Sequence, residues 1–462
     1  MPLNSDTGIS VPAEIFKAYD IRGVAGESLT HTNIHLIGQA FGSEYADEID
    51  GEVLVACDAR LSSPKLKSAL VDGLRSVGLD VIDLGTIPTP LLYFAAHNSV
   101  AGTGLMVTAS HNPPQFNGVK LTLANKPLYG DAIQRLYQRI SKSDLSTGPV
   151  GAFSEQSVVE VYRNAVSSNI QISAPVRAVL DCANGVAGAI APQVLRDIGC
   201  DVIELYCEVD GRFPNHSADP TRPENLQDLI AAVIAEKADV GLAIDGDGDR
   251  LVAVSPNGEI IWPDRLMILF ARDILAAYPG RQVVFDVKCQ RSLAREVARA
   301  GGNPILWKTG HSLIRAKMLE CDAIFGGEMS GHLYFKDRWP GFDDGIYASA
   351  RLCEALSRSE SSAADMFCTL PDSVNTPEVR IHCDDPHTLI EQFRSHAKFE
   401  DAQIISIDGL RADFNDGFGL IRASNTAPEI VLRFDADSEA GLTRIRERFY
   451  SVLGTLTDLD EK

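Results

Sequence analysis

Ser110 is the residue on which the sequence concentrates its chemistry. It lies within the stretch Gly104-Leu105-Met106-Val107-Thr108-Ala109-Ser110-His111-Asn112-Pro113-Pro114, in which Leu105 to Val107 reads as a buried strand. Pro113-Pro114 forbid a simple continuation, so Ser110 falls on a tight loop at a strand end with His111 beside it. Asn117-Gly118 is expected to turn the chain, and Val119 to Leu123 to return as an alternating strand that brings Lys120 back to the loop. A serine on a stiff loop with a cation close by is suited to carry a covalent group. Ser, His and Asn that merely cap a turn would look the same on this stretch.

Asp245-Gly246-Asp247-Gly248-Asp249-Arg250 follows the apolar Val240 to Ile244. Carboxylates this close repel one another unless a hard cation neutralises them, and oxygen-only ligands on a flexible loop suit Mg2+. The spacing is not that of an EF-hand, because Arg250 and Pro256 stand where that loop needs Gly and Glu. A solvated acidic turn is the plainer alternative. Gly326-Gly327-Glu328-Met329-Ser330-Gly331-His332 sets a carboxylate, a hydroxyl and an imidazole among glycines, groups that can hydrogen-bond a polyol or equally cap a helix. Arg422-Ala423-Ser424-Asn425-Thr426 combines a guanidinium with hydroxyl, amide and backbone donors, as a phosphate requires; a polar hairpin turn is the alternative. Lys288 and His311 end two further strand–loop units. Arg22 lies in Phe16 to Val24, which reads as too polar for a buried strand, with Gly23 permitting a turn. Arg22 reads as a surface residue or an anion ligand, and sequence alone favours the surface.

The elements that must position these groups come from a repeat. Val53 to Ala56 ends near Asp58, Ala178 to Leu180 at Asp181, and Val283 to Phe285 at Asp286. Each is followed by a helical segment and a second strand (Gly78 to Ile82, Gly199 to Ile203, Gly302 to Leu306). A third apolar run then ends in the Ser110, Asp245 or Glu328 loop. Strand, helix, strand, helix, strand is the pattern of an α/β layer with a largely parallel sheet, in which ligand chemistry gathers at the carboxyl ends of strands. Ile133, Leu136, Tyr137 and Ile140 fall at helical spacing, as do Leu226, Leu229, Ile230 and Val233. The expected domains are residues 1–155 with the serine loop, 156–257 with the aspartate loop, 258–368 with the Glu328 loop, and an α+β domain over 369–462. The last carries strands near Glu378 to His382 and Ile430 to Phe434 and a helix near Ala440 to Leu453.

Composition bounds the partners. The chain has 462 residues and a formal net charge of −21, with no Lys/Arg-rich run. That argues against nucleic acid or an anionic membrane, though a local basic pocket can still hold a small anion. No apolar run approaches about 20 residues, so no membrane span is expected. No leader pattern is evident at the N-terminus. The nine cysteines form no CxxC pair and read as reduced thiols of a cytoplasmic protein, most of them in the core.

Thr108-Ala109-Ser110-His111-Asn112-Pro113, Asp245-Gly246-Asp247-Gly248-Asp249-Arg250, Gly327-Glu328-Met329-Ser330-Gly331-His332 and Arg422-Ala423-Ser424-Asn425-Thr426 stand in the order seen in the α-D-phosphohexomutases. The chain resembles that family over its whole length, and its phosphomannomutase/phosphoglucomutase branch most. The resemblance implies three related α/β domains with mixed, largely parallel sheets and a C-terminal α+β domain, around one central cleft. It implies that Ser110 is held as phosphoserine, and that Asp245, Asp247 and Asp249 bind Mg2+ with a phosphoserine oxygen. Glu328 and Ser330 would hold sugar hydroxyls. Arg422, Ser424, Asn425 and Thr426, with Tyr19 and Lys288, would hold the non-reacting phosphate, with Arg250 and His311 as further substrate contacts. Arg22, His111, Lys120 and His332 would line the reacting end, with Lys120 or His332 as proton shuttle. Glucose 1,6-bisphosphate would serve as intermediate and activator for hexose phosphate substrates, and a monomer is expected. Ala427 departs from the Glu of many relatives. Met329 matches the mannose/glucose branch, where the phosphoglucosamine branch usually shows Gln. A phosphoglucosamine mutase, a non-catalytic sugar-phosphate-binding protein and a plain phosphatase are the competing readings.

Overall fold

The computed structural model describes residues 11–424 and 428–456. Asn425 and Thr426, expected at the phosphate site, and Ala427 lie outside the described residues. The chain divides into two compact units, Met1–Ile261 with Gly331–Met366, and Trp262–Ser330 with Phe367–Lys462.

The repeat is written in the strand order. In the first unit, strand Val53–Cys57 lies parallel between Val81–Thr86 and Gly104–Val107. Strand Arg177–Asp181 lies in the same way between Asp201–Leu205 and Val240–Ile244. In the second unit, Gln282–Asp286 lies parallel between Asn303–Trp307 and Phe325–Gly327. Parallel neighbours need crossover connections, and a helix fills each one: Ser63–Arg75, Ala191–Asp197 and Arg291–Arg299 after the first strands, Thr89–His97, Gln227–Glu236 and His311–Cys321 after the second. Their apolar residues recur at helical spacing. Leu66, Leu70 and Leu74 of Ser63–Arg75 are all buried, as are Ile133, Leu136 and Ile140 of the later helix Asp131–Ser141. They close one core with Val53, Val55, Leu105, Val107, Val119 and Leu121. Leu226, Leu229 and Val233 do the same over Val179, Val252 and Val254.

In the second unit the C-terminal residues build an antiparallel sheet from Val374–Asn375, Val379–His382, Gln403–Ile405, Leu410–Phe414, Gly417–Ala423 and Glu429–Ala436. Helices Pro386–His396 and Glu439–Leu453 cover it, and Phe393, Phe399, Phe414, Phe434 and Phe449 fill the space between. Arg411 of this sheet donates to the carbonyl oxygens of Val287 (2.6 Å) and Cys289 (2.8 Å), which fastens it to the strand-end loop that carries Lys288. Among the described residues, no helix is long and apolar enough to cross a membrane.

Two local expectations are corrected. Ile21–Val24 is a strand, paired antiparallel with Phe116–Leu123. Ile21 and Gly23 face inward, so half of this polar stretch is core, and Arg22 is not at the surface: its side chain is 9% exposed. Asn117-Gly118 does not turn the chain but lies inside the strand Phe116–Leu123. A Cβ on Gly118 would sit 2.2 Å from the Ile21 carbonyl oxygen and 2.9 Å from that of Thr108, so this glycine permits close approach of three segments rather than a bend.

Candidate active site

In the first unit the serine loop is clamped from beneath. Ser110 has φ +50°, a left-handed conformation uncommon for a residue with a side chain. Its amide donates to Thr108 Oγ1 at 2.9 Å. The fully buried Arg60 guanidinium donates to the carbonyl oxygens of Ser110 (2.6 Å), Asn112 (2.7 Å), Pro113 (2.7 Å) and Phe116 (3.1 Å). Asp58, just beyond the first strand, accepts from Arg60 Nε at 3.1 Å and from Thr108 Oγ1 at 2.7 Å. Four carbonyls and one carboxylate thus depend on one cation. Arg60→Met keeps the bulk but strands Asp58 as a buried unpaired charge, which costs about 3–5 kcal/mol. Urea unfolding followed by tryptophan fluorescence is expected to show that loss, together with a collapse of activity.

Ser110 Oγ donates to Asp245 Oδ2 at 2.6 Å and lies 3.2 Å from His111 Nδ1. Burial, with the nearby Arg250 and Arg22 charges, pushes the His111 imidazolium well down in pKa, so the ring is neutral. Arg22 Nη1 donates to Asn112 Oδ1 at 2.7 Å, and Tyr19 lies half-buried in the bend just before the Arg22 strand.

Strand Val240–Ile244 ends at the three aspartates, all fully buried. Asp245 Oδ1 accepts from the backbone N–H of Gly248 (3.1 Å), Asp249 (3.1 Å) and Arg250 (3.2 Å). Asp247 Oδ2 accepts from Thr89 Oγ1 at 2.6 Å and from Lys120 Nζ at 2.7 Å, and Lys120 Nζ also donates to Asp249 Oδ2. Burial and the charges of Asp249 and Asp247 push the Asp245 carboxyl up well beyond the usual carboxylate range. Burial and the Asp247 charge also raise Asp249. Burial opposes the Asp247 charge, but Lys120 and Thr89 outweigh it and hold that carboxyl low. Burial works against the Lys120 ammonium too, and Asp247 with Asp249 holds it well above its usual range. One oxygen from each aspartate lies within 4.8 Å of the others. Asp247 Oδ1 and Asp249 Oδ1 are buried with no hydrogen-bond partner among the described residues. Oxygen-only donors, crowded and with orphaned lone pairs, fit a hard divalent cation.

His332 reaches the same cluster. Arg250 Nε donates to His332 Nε2 at 3.0 Å, and His332 Nδ1 lies 2.8 Å from Asp343 Oδ2 and 3.5 Å from Asp249 Oδ1. Burial pushes the imidazolium pKa down to about 3, with Arg250 and Lys120 reinforcing it against the pull of Asp249.

In the second unit a separate polar cluster forms. Glu328 ends strand Phe325–Gly327, is buried, and accepts from the Gly310 N–H at 2.7 Å, beside His311 at the start of its helix. Asp286 accepts from the Met329 N–H (3.1 Å) and from Thr309 Oγ1 (2.9 Å), which sets the loop leading to the half-buried Ser330. Asp408 Oδ2 accepts from the Thr309 N–H and from Arg422 Nε, both at 3.0 Å. Lys288 pairs with Glu378 at 2.8 Å. Burial opposes its ammonium, but Glu378, Asp286 and Glu328 hold its pKa up. The Ser424 N–H donates to the Glu429 carbonyl oxygen at 2.9 Å. Each sequence-derived group therefore meets its neighbours within its own unit: Arg22, Ser110, His111, Lys120, the aspartates, Arg250 and His332 in the first, Lys288, His311, Glu328 and Arg422 in the second.

Sequence reasoning missed Arg60, Thr89, Asp343, Glu378 and Asp408. Asp58 and Asp286 had a signal, since both mark strand ends in the repeat. Thr89 had none: its partner Asp247 is 158 positions away.

Four successive segments match the family descriptions phosphoglucomutase/phosphomannomutase alpha/beta/alpha domain I (residues 13–147), domain II (158–258), domain III (262–373) and C-terminal domain (378–452). A phosphomannomutase/phosphoglucomutase of Pseudomonas aeruginosa is 48% identical over 96% of both chains. A phosphoglucomutase of Neisseria gonorrhoeae is 45% identical over 96% of this chain and 97% of its own. The crystal structure of a phosphoglucomutase/phosphomannomutase family protein from Burkholderia thailandensis superposes with a TM-score of 0.92 at 46% identity, over 97% of this chain and 100% of its own. At the level of the fold alone, an Aspergillus fumigatus N-acetylphosphoglucosamine mutase variant solved with glucose 1,6-bisphosphate is similar at a TM-score of 0.60 and 14% identity, over 97% of each chain. With four domain matches in order and close relatives along nearly its whole length, the chain belongs to the phosphoglucomutase/phosphomannomutase family, the α-D-phosphohexomutases.

Proposed function

We propose that this chain is a phosphohexomutase that moves a phosphoryl group reversibly between C1 and C6 of glucose or mannose phosphates, with Ser110 as the carrier. The observation that supports it best is the contact of Ser110 Oγ with Asp245 at 2.6 Å, beside a buried aspartate triplet with unused oxygens. Phosphoryl transfer asks mainly for positioning and charge neutralisation. Asp245, Asp247 and Asp249 would hold Mg2+, which supplies positive charge to the transferring group when bound.

The chain's own residues divide the remaining work. Arg22 and Arg250 offer guanidinium donors to the reacting phosphate. Lys120 is committed to Asp247 and Asp249 and retains its proton, so it serves as a cation rather than a base. His332 is neutral, and its Nε2 accepts from Arg250 Nε; with that guanidinium drawn to the reacting phosphate, Nε2 would be suited to take the proton of a sugar hydroxyl. Glu328 and Ser330 would bind sugar hydroxyls, with His311 beside them. Lys288, Arg422 and Ser424, with Tyr19, Asn425 and Thr426, would hold the phosphate that does not react. The bisphosphorylated sugar must then turn over, so glucose 1,6-bisphosphate acts as both intermediate and activator. The nine cysteines are all unpaired, which fits a reducing, cytoplasmic setting.

Glucose 1-phosphate, Mg2+ and a trace of glucose 1,6-bisphosphate are expected to yield glucose 6-phosphate, read by a coupled dehydrogenase. Mannose 1-phosphate in place of glucose 1-phosphate measures the preference. A much higher rate with glucosamine 6-phosphate would move the assignment to the glucosamine branch. Stoichiometric release of inorganic phosphate would move it to a phosphatase.

A further inference from the structure

Asp408 belongs to none of the motifs above, yet two loops of the second unit meet on one of its oxygens. Its Oδ2 accepts from the Thr309 N–H and from Arg422 Nε, both at 3.0 Å. The Asp408 side chain is 15% exposed and that of Arg422 6%, so water competes little for either partner. The Thr309 side leads to the Glu328 loop. Thr309 Oγ1 donates to Asp286 Oδ2 at 2.9 Å, and Asp286 Oδ1 accepts from the Met329 N–H at 3.1 Å. The next amide, that of Gly310, donates to Glu328 Oε1 at 2.7 Å. One carboxylate thus ties Arg422 to the backbone that meets Glu328.

Asp408 itself has little freedom. Gly409 has φ +73°, and a Cβ there would sit 2.1 Å from the Ile421 carbonyl oxygen and 2.7 Å from Arg422 Cα. The turn is pressed flat against the backbone of the very residue whose side chain Asp408 holds, and only glycine fits at its tip. Leu410 pairs with Ile421 directly afterwards. On the other flank Ile407 packs against Val287, Phe418 and Leu420. Backbone and packing therefore aim the carboxylate from both sides.

The sign of its charge says what it is for. A negative group beside Arg422 weakens the field that draws a phosphate in, so attraction is not what Asp408 supplies. It supplies direction. A guanidinium is planar, and fixing Nε fixes the line along which its Nη N–H groups point. Those are the groups with which Arg422 would grip a phosphate in bidentate fashion.

We infer that Asp408 is the positioning residue of Arg422, holding its guanidinium so that the phosphate that does not react is gripped in register with the sugar contacts around Glu328. The inference deepens the mutase reading above and rests on its phosphate site.

Asp408→Ala is expected to raise KM for glucose 1-phosphate about 10–100-fold, the size of effect that follows the loss of a hydrogen bond to a charged group. The kcat is expected to stay within about threefold, because a phosphate that does not react is held alike in ground and transition states. Calorimetric titration of the metal-free protein with glucose 6-phosphate, which involves no turnover, should show the same loss of affinity. Asp408→Asn keeps an oxygen that can accept from both N–H groups, and it is expected to recover most of that loss. A positioning role has a further signature. In an Arg422→Gln background, Asp408→Ala should cost little more, because the group that it aims is gone. If the alanine variant does not fold, Asp408→Ser, too short to reach the guanidinium, takes its place in the same measurements. Three results overturn the inference: an affinity within about threefold of the parent in the short variant, tighter binding in it, or losses that add in full in the double variant. A parent that binds glucose 6-phosphate through Asp408 but does not turn over glucose 1-phosphate counts against the mutase reading and leaves the positioning role standing. Turnover with Asp408 silent does the reverse, and a parent that does not bind glucose 6-phosphate overturns both.

Discussion

Ser110→Ala is expected to lower mutase turnover by about four to six orders of magnitude, because the group that carries the phosphoryl is gone and nothing nearby replaces it. The neighbours cannot substitute. Asp245 lies closer, at 2.6 Å, but its other oxygen is tied to three backbone N–H groups and it is committed to the ion, while the half-buried His111 stands 3.2 Å away, beside the serine rather than in its place. The loop itself does not depend on the hydroxyl. Its shape rests on Arg60 and on the Ser110 amide bond to Thr108, both made through backbone atoms. The variant should therefore fold, and Ser110→Gly makes the point sharper. Ser110 sits at φ +50°, where a Cβ costs roughly 1 kcal/mol or more, so the glycine variant should be at least as stable as the alanine one and equally inactive. Intact mass supplies the independent measurement. The purified parent should carry a gain of about 80 Da, one phosphoryl group, that is missing from both variants. A parent without that mass, or an alanine variant that retains turnover, would remove Ser110 from the reaction.

How far this could be read before the coordinates depends on the range of the interaction. The aspartate triplet was legible because its members share one short loop and follow an apolar run, so both cluster and strand end are local facts. The parallel core was legible because three strand–helix–strand runs recur in order, and a parallel sheet demands such crossovers. Arg22 was misread because its strand is buried on one face only, and its polar residues hid the two that point inward. Gly118 was misread because a glycine beside Asn looks like a turn, while its actual cause is a carbonyl oxygen on another strand. Arg60 could not be foreseen as the clamp of the serine loop, since its carbonyl partners lie fifty or more positions onward and are ordinary backbone. Chemistry carried by neighbours in the chain shows in a motif; chemistry carried by orientation shows in the packed structure alone.

The aspartate triplet makes the second large prediction, and its sign differs between the metal-free and the metal-bound protein. Asp245→Asn is nearly isosteric. The amide oxygen keeps the three backbone bonds from Gly248, Asp249 and Arg250, and the amide nitrogen can donate to Ser110 Oγ where the carboxylate accepted from it. What changes is charge. The Asp245 carboxyl has its folded pKa raised by burial and by Asp249 and Asp247, and a carboxyl raised in this way costs stability once the pH exceeds its unfolded pKa. At neutral pH the metal-free variant is therefore expected to be more stable than the metal-free parent, by roughly 1 kcal/mol. Mg2+ should reverse the order. A cation at a hundred times its dissociation constant stabilises the parent by about 2.7 kcal/mol, and the variant, short of one anionic ligand, should gain little at the same concentration. Turnover should fall by about 10³-fold, since the transferring group loses the charge that was held beside it. Thermal unfolding with and without Mg2+, beside calorimetric titration of the ion, separates the two contributions. If the variant melts below the parent without metal, the three carboxylates are not crowded in the way their burial implies. If both proteins gain equally from Mg2+, the ion is bound somewhere other than this loop.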